Sequence, residues 1–237
     1  MKTIGLIGGM SWESTAEYYR ILNQRIAEHC GGLHSAKVML YSVDFADIEA
    51  RQRQEDWTGA GELLADAARR VAAAGADLML ICTNTMHMVA DTVSAAVDIP
   101  LLHIVDAVGR SISECGMKRV GLLGTKFTME RDFYTGRLLT ASGIDSIVPD
   151  SRGRDEVNRI IFEELCLGRI LPESKRFVID VIGQLTAQGA EGVVLACTEL
   201  PLLVYQSDTP VRLFDTTAIH AEAAVAAALQ YGKHDDK

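Results

Sequence analysis

The chain has 237 residues, 48% of them hydrophobic, and a formal net charge of −9 at pH 7. That length allows one large or two modest domains with a substantial core. The acidic balance argues against a general nucleic-acid or anionic-membrane surface and leaves room only for a local pocket that takes a small acid. The apolar opening Ile4-Gly5-Leu6-Ile7-Gly8-Gly9 is too short and glycine-rich for a signal peptide or a membrane span, and no other run approaches spanning length. Five scattered cysteines without a C-x-x-C argue against a disulfide framework or a zinc site, so no metal is expected and a reducing cytoplasm is the expected compartment.

In chain order, 2–7 reads as a strand, Gly8-Gly9-Met10-Ser11 as a sharp turn and 14–30 as a helix. Glycines there let backbone approach a ligand closely, although a plain strand-to-helix turn explains them equally well. The spacing fits neither a Walker A loop nor G-x-G-x-x-G. A second strand at 36–43 ends in Asp44, polar residues including Gln52 follow, and a helix runs over 59–74. A third strand, 76–81, gives way to Thr83-Asn84-Thr85 and a helix at 86–96. A fourth strand at 100–105 ends at Asp106, with a helix over 107–115.

The pattern then restarts. Lys118-Arg119-Val120-Gly121-Leu122-Leu123-Gly124 repeats Lys2-Thr3-Ile4-Gly5-Leu6-Ile7-Gly8 at an offset of 116 (118 − 2), which also sets Tyr134 opposite Tyr18. A weak strand at 146–148, helices at 154–167 and 172–188, the apolar run Val193-Val194-Leu195-Ala196, a strand at 211–214 ending in Asp215 and a helix over 217–230 complete the chain, leaving a polar tail at 233–237. Strands alternate with helices throughout, so the fold class is α/β with parallel sheets, and the half-length repeat predicts two similar lobes.

Two apolar runs end in chemistry. Leu78-Met79-Leu80-Ile81 leads into Cys82-Thr83-Asn84-Thr85, and Val193-Val194-Leu195-Ala196 into Cys197-Thr198-Glu199. Aligned on Gly75 and Gly189, an offset of 114 (189 − 75), Cys197 falls opposite Thr83 and Ala196 opposite Cys82. Open α/β sheets bind ligands at the carboxyl ends of their strands. A cysteine there, followed by the N–H groups of an opening helix, sits in a setting that lowers thiol pKa and can serve as base or nucleophile. His87, His103 and His220 are candidate partners for it in space. Cys30, Cys115, Cys166 and Cys82 read as structural. Asn84, Thr85 and Thr198, with neighbouring backbone N–H groups, would make anion nests, although all three are also common helix-start residues. A carboxylate held between a base and an opposed acid suits proton removal and return at one carbon, which is racemisation.

The chain resembles the aspartate/glutamate racemase family, the pyridoxal-independent amino-acid racemases. The resemblance rests on Ile4-Gly5-Leu6-Ile7-Gly8-Gly9-Met10, Thr83-Asn84-Thr85-Met86-His87, Gly124-Thr125-Lys126-Phe127-Thr128 and Ala196-Cys197-Thr198-Glu199-Leu200-Pro201, spread over nearly the whole chain in family order. It implies two flavodoxin-like lobes with the active site in the cleft between them, no cofactor, a small amino-acid substrate, and a C-terminal segment that packs back onto the first lobe. The implied domains are 1–105 plus 208–237 and 106–207. The family's two catalytic cysteines map to Thr83 and Cys197, so the first is replaced by a hydroxyl. Cys82, one residue early on a strand, points to the opposite face and does not substitute simply. Met10, Ser11, Asn84, Thr85, Thr125, Thr128, Thr198 and Glu199 are the implied substrate contacts. Gln52 stands near the position of an arginine that holds the side-chain carboxylate in aspartate racemases. Glu163 and Glu164 fall on a helix where the family can carry a lysine. Both departures point away from strict aspartate specificity. The resemblance also implies that Cys197 works on the L-enantiomer, with L→D favoured in kcat. Rival readings are a cofactor-free decarboxylase or hydantoin racemase of the same superfamily, and a small-acid binding protein. A homodimer is compatible with all of them.

Overall fold

A computed structural model describes residues 1–229. The end of the expected last helix, at Gln230, and the tail at 233–237 lie outside the described residues. The chain divides into two compact units, Met1–Ile104 with the segment beginning at His220, and Val105–Ile219.

The first unit holds β1 (Ile4–Gly8), α1 (Trp12–Cys30), β2 (Val38–Ser42), α2 (Phe45–Arg53), α3 (Trp57–Ala73), β3 (Leu78–Ile81), a 3-10 turn at Thr85–Val89 and α4 (Ala90–Ser94). Its strands are parallel in the order β2-β1-β3, extended by one bridge from Met79 to Leu101. Period-2 alternation divides β3 between two layers. Met79 and Ile81 pack with Leu64, Ala67, Ala68 and Val71 of α3. Leu78, Leu80 and Cys82 pack with Tyr18, Leu22 and Ile26 of α1 and with Ala221, Ala224, Val225 and Ala228 of α11 (Thr216–Leu229).

The second unit runs through α5 (Ile104–Glu114), β4 (Arg119–Gly124), α6 (Lys126–Glu130), α7 (Asp132–Ser142), β5 (Asp145–Ile147), α8 (Ser151–Glu163), α9 (Pro172–Ala187), β6 (Gly192–Ala196), α10 (Leu200–Leu203) and β7 (Arg212–Asp215). All strands are parallel, in the order β5-β4-β6-β7. Val193, Leu195 and Cys197 share one core with Val157, Ile160 and Ile161 of α8 and Val178, Ile182 and Leu185 of α9. The order 2-1-3-4, which the first unit repeats as far as its single Leu101 bridge, is that of flavodoxin-like folds.

The repeat read from sequence is written into the hydrogen bonds. After α3, Gly75 takes φ +94°, and after α9, Gly189 takes φ +99°. Ala76 N–H donates to the Val71 carbonyl at 3.3 Å and Ala190 N–H to the Leu185 carbonyl at 3.1 Å. Asp77 N–H then reaches the Thr3 carbonyl and Glu191 N–H the Arg119 carbonyl, both at 2.9 Å. Left-handed glycines end both helices because an L side chain there is strained.

Several boundaries differ from expectation. The strand expected at 211–214, within the segment 208–237 assigned to the first lobe, belongs to the second unit, because β7 ladders onto β6 from Gly192↔Arg212 to Leu195↔Asp215. The chain therefore re-enters the first unit at His220, inside α11, not at 208. Gln52 lies on a helix, α2, whose start Asp44 caps by accepting from Ala46 N–H at 3.0 Å. The strand expected at 100–105 shrinks to its bridge because α5 begins at Ile104. Asp106 therefore sits in a helical first turn and pairs with Arg137 at 2.7 Å.

Candidate active site

The carboxyl ends of β1 and β3 flank the switch point of the first sheet, and those of β4 and β6 the switch point of the second. The site residues selected from sequence follow these strands, except Gln52 on α2, and each set is described within its own unit.

In the first unit, Met10 and Ser11 are buried after β1. Ser11 caps α1, accepting from Ser14 N–H at 3.4 Å, and Thr15 Oγ1 donates to the Ser11 carbonyl at 2.8 Å while accepting from Gly9 N–H at 2.9 Å. Gly9 has φ +92°, and a Cβ there would stand 2.2 Å from the Val43 carbonyl oxygen. The glycine therefore answers to the approach of the strand end after β2, and Ser11 to a helix start. Thr83 is half-buried, and Asn84 and Thr85 are buried. Asn84 opens the 3-10 turn without a side-chain cap bond. Helix starting does not account for its amide. Cys82 N–H still belongs to the ladder, donating to the Ile7 carbonyl at 2.9 Å, and burial pushes its thiol far up. Thr83 thus has the parity of Ile81 and Met79, and Cys82 is core. Gln52, also buried, points its Nε2 at Met86 Sδ, 3.1 Å away, a weak acceptor for a buried amide.

In the second unit, Thr125 caps α6, accepting from Thr128 N–H at 3.3 Å, and its hydroxyl lies 3.2 Å from that of Thr128. Both are buried. A Cβ on Gly124 would stand 2.6 Å from the Ala196 carbonyl, so the two strand ends lie in close contact. Cys197, 5% exposed, follows β6 with the parity of Leu195 and Val193, the position that Thr83 has after β3. Its Sγ donates to Glu199 Oε2 at 3.0 Å, and Thr198 Oγ1 donates to the same oxygen at 3.0 Å.

This corrects the expectation that the thiol is easily ionised. Burial, the charge of Glu199, Cys166 and the bond to the Glu199 side chain all push the Cys197 thiol well above its ordinary value, against a weaker downward pull from Glu199 N–H. The short turn that follows spends N–H groups on itself: Leu200 N–H donates to the Cys197 carbonyl at 3.2 Å. The sequence signal for Glu199 as a partner of the thiol was its spacing two residues on. Sequence reading gave it to the substrate instead.

Two of the histidines offered as thiol partners, His87 and His220, are engaged elsewhere. His87 and His220 spend both ring nitrogens within the first unit, His220 on Tyr18 Oη at 2.9 Å and the Leu102 carbonyl at 2.8 Å. Glu164 is buried, with Oε1 2.7 Å from Arg159 Nη2 and Oε2 accepting from Ser174 at 2.5 Å, so its charge is balanced locally. Glu163 is exposed.

Comparison with known proteins gives the family. A family profile described as Asp/Glu/hydantoin racemase matches residues 7–224. The chain belongs to that family. It is an isomerase of the racemase type, as its relatives are. A crystal structure of an Asp/Glu racemase candidate from Yersinia pestis is 54% identical, covering 97% of this chain and 100% of that one, with a TM-score of 0.90. An aspartate racemase homologue from Pyrococcus horikoshii OT3 is 38% identical, covering 96% and 99%, with a TM-score of 0.83. The broad specificity amino-acid racemase RacX of Bacillus subtilis (strain 168) is 24% identical over 96% of this chain and 99% of its own. Among the described residues, no helix is long and apolar enough to cross a membrane.

Proposed function

We propose that this racemase acts on aspartate, glutamate or a broader set of amino acids in the cytoplasm, without a cofactor, by removing and returning the α-proton on opposite faces with Cys197 and Thr83. One observation carries the reading: a buried thiol at the carboxyl end of a parallel strand, hydrogen-bonded to a carboxylate two residues on. Glu199 takes the thiol proton, the thiolate takes the α-proton of the L-enantiomer, and the carbanion is protonated from the other face by the Thr83 hydroxyl. Solvent then reprotonates the Thr83 alkoxide and takes the proton left on Glu199, which resets the site. A thiol pushed up in pKa gives a strong base once ionised, which suits so weak an acid as an α-C–H. Asn84, Thr85 and the Thr125/Thr128 pair supply the polar contacts for the α-amino-acid head. Thr198 joins them only if its hydroxyl leaves Glu199.

A threonine alkoxide is barely populated near neutrality, so the D-enantiomer meets a base that is rarely available and kcat favours L→D. Enantiomers are equal in energy, so kcat/KM is the same in both directions and KM carries the difference. Gln52 offers a neutral amide donor where a guanidinium would demand a carboxylate, and this widens the side chains accepted. The experiment is Cys197→Ser assayed by optical rotation with both enantiomers of aspartate and glutamate. It removes nearly all turnover; an unchanged kcat would sink the scheme.

A further inference from the structure

His87 follows Thr83 by four residues and lies in the 3-10 turn after β3, 3% exposed. Its ring bridges backbone groups on two sides, with the Asn84 backbone beside that of Thr83 on one of them. Ile104 N–H lies 3.2 Å from Nε2, and the Thr83 carbonyl lies 2.8 Å from Nδ1. A backbone N–H only donates and a carbonyl only accepts. Nε2 must therefore be the unprotonated nitrogen and Nδ1 the N–H, and both contacts require the same tautomer. Nothing in this arrangement faces open space, so the imidazole is neither a proton shuttle nor a ligand. What it does is tie the backbone of Thr83 to Ile104, where the chain leaves the first unit.

We propose that His87 is a positioning residue that fixes the Thr83 backbone, and with it the Thr83 hydroxyl, by donating Nδ1–H to the Thr83 carbonyl from a ring anchored on Ile104 N–H. The surroundings hold that tautomer. Burial, with His103 and His220 close by, keeps the ring from charging, and the ring centroids of His103 and His220 lie 4.6 and 5.7 Å from that of His87. The inference rests on the Cys197/Thr83 reading above. It adds a residue to which sequence analysis gave only a candidate role beside the thiol.

Two substitutions separate the two ends of the ring. Asparagine places an amide N–H near the Nδ1 position and keeps the bond to Thr83. Glutamine places an amide oxygen near the Nε2 position and keeps the bond from Ile104 while losing the donor to Thr83. With L-substrate in D₂O, α-proton exchange reports Cys197, and inversion reports proton delivery by Thr83. His87→Gln is expected to lower inversion about tenfold or more relative to exchange, because a displaced acid delivers poorly, while His87→Asn keeps the ratio within about twofold of wild type. Equal loss of exchange and inversion in both variants, or an unchanged ratio in His87→Gln, would overturn the proposal. Where a variant does not fold, the wild-type imidazole decides by nitrogen NMR: Nδ1–H is expected, and an Nε2–H ring overturns the proposal. A wild-type protein that exchanges no amino-acid α-proton overturns the racemase reading itself, whatever the tautomer.

Discussion

At the scale of single residues, the centre of the account is one oxygen. Glu199 Oε2 receives hydrogen bonds from Cys197 and Thr198, and the Glu199 carboxylate helps push the thiol up. Glu199→Gln keeps the shape and removes the acceptor's charge. The expected result is a fall in kcat of about 10²–10⁴-fold, the usual worth of a positioned base. The thiol should also titrate at a lower pH than in wild type, followed by thiolate absorbance. A variant with wild-type kcat would show that Glu199 does not take the proton. The shared parity of Thr83 and Cys197 after their strands and the burial of Cys82 in the core were legible because strand parity is rigid: one residue changes the face. The direction of the Cys197 shift was not legible. It depends on burial and on where the Glu199 side chain turns, and neither is fixed by residue order.

At the scale of elements, the turns that present the site are held by close backbone contacts and a neutral histidine. Gly9→Ala would push a Cβ to 2.2 Å from the Val43 carbonyl at a φ of +92°. A loss of about 1–3 kcal/mol is expected from a residue forced into that region, read as a lowered midpoint in urea. Wild-type stability would contradict the packing described for β1. The His87 ring, held neutral in the fold, makes stability depend on pH. Its folded pKa lies below the unfolded value of about 6.5. The unfolded chain therefore takes up the proton first. The contribution is complete above about pH 6.5 and declines as pH falls below it towards the folded pKa. The difference in unfolding free energy between wild type and His87→Asn should shrink as pH is lowered from 7.5 to about 5; a difference that is flat or grows would show that the ring is not held neutral. Helix α2 escaped sequence reading because one capping side chain, Asp44, outweighs a short run of hydrophobic residues. The strand expected at 100–105 is cut short by α5, which starts at Ile104 inside the apolar run.

At the scale of the whole molecule, the repeat was the most legible feature. Gly75 and Gly189, with the same hydrogen bonds around them, show that two stretches of weak identity build the same helix-to-strand turn. The second crossing between the units was misplaced because β7 and α11 follow one another without a break, and only strand pairing shows that β7 stays with β6. The central claim is that one amino-acid α-carbon is served from opposite faces by a thiol and a hydroxyl. Proton NMR in D₂O tests it most directly, with L- and D-aspartate, L- and D-glutamate and neutral amino acids offered separately and optical rotation followed alongside. The account predicts loss of the α-proton signal with matching inversion for at least one substrate, a higher kcat from the L-enantiomer and equal kcat/KM from both sides. Saturable binding with no α-proton exchange on any of them would contradict it.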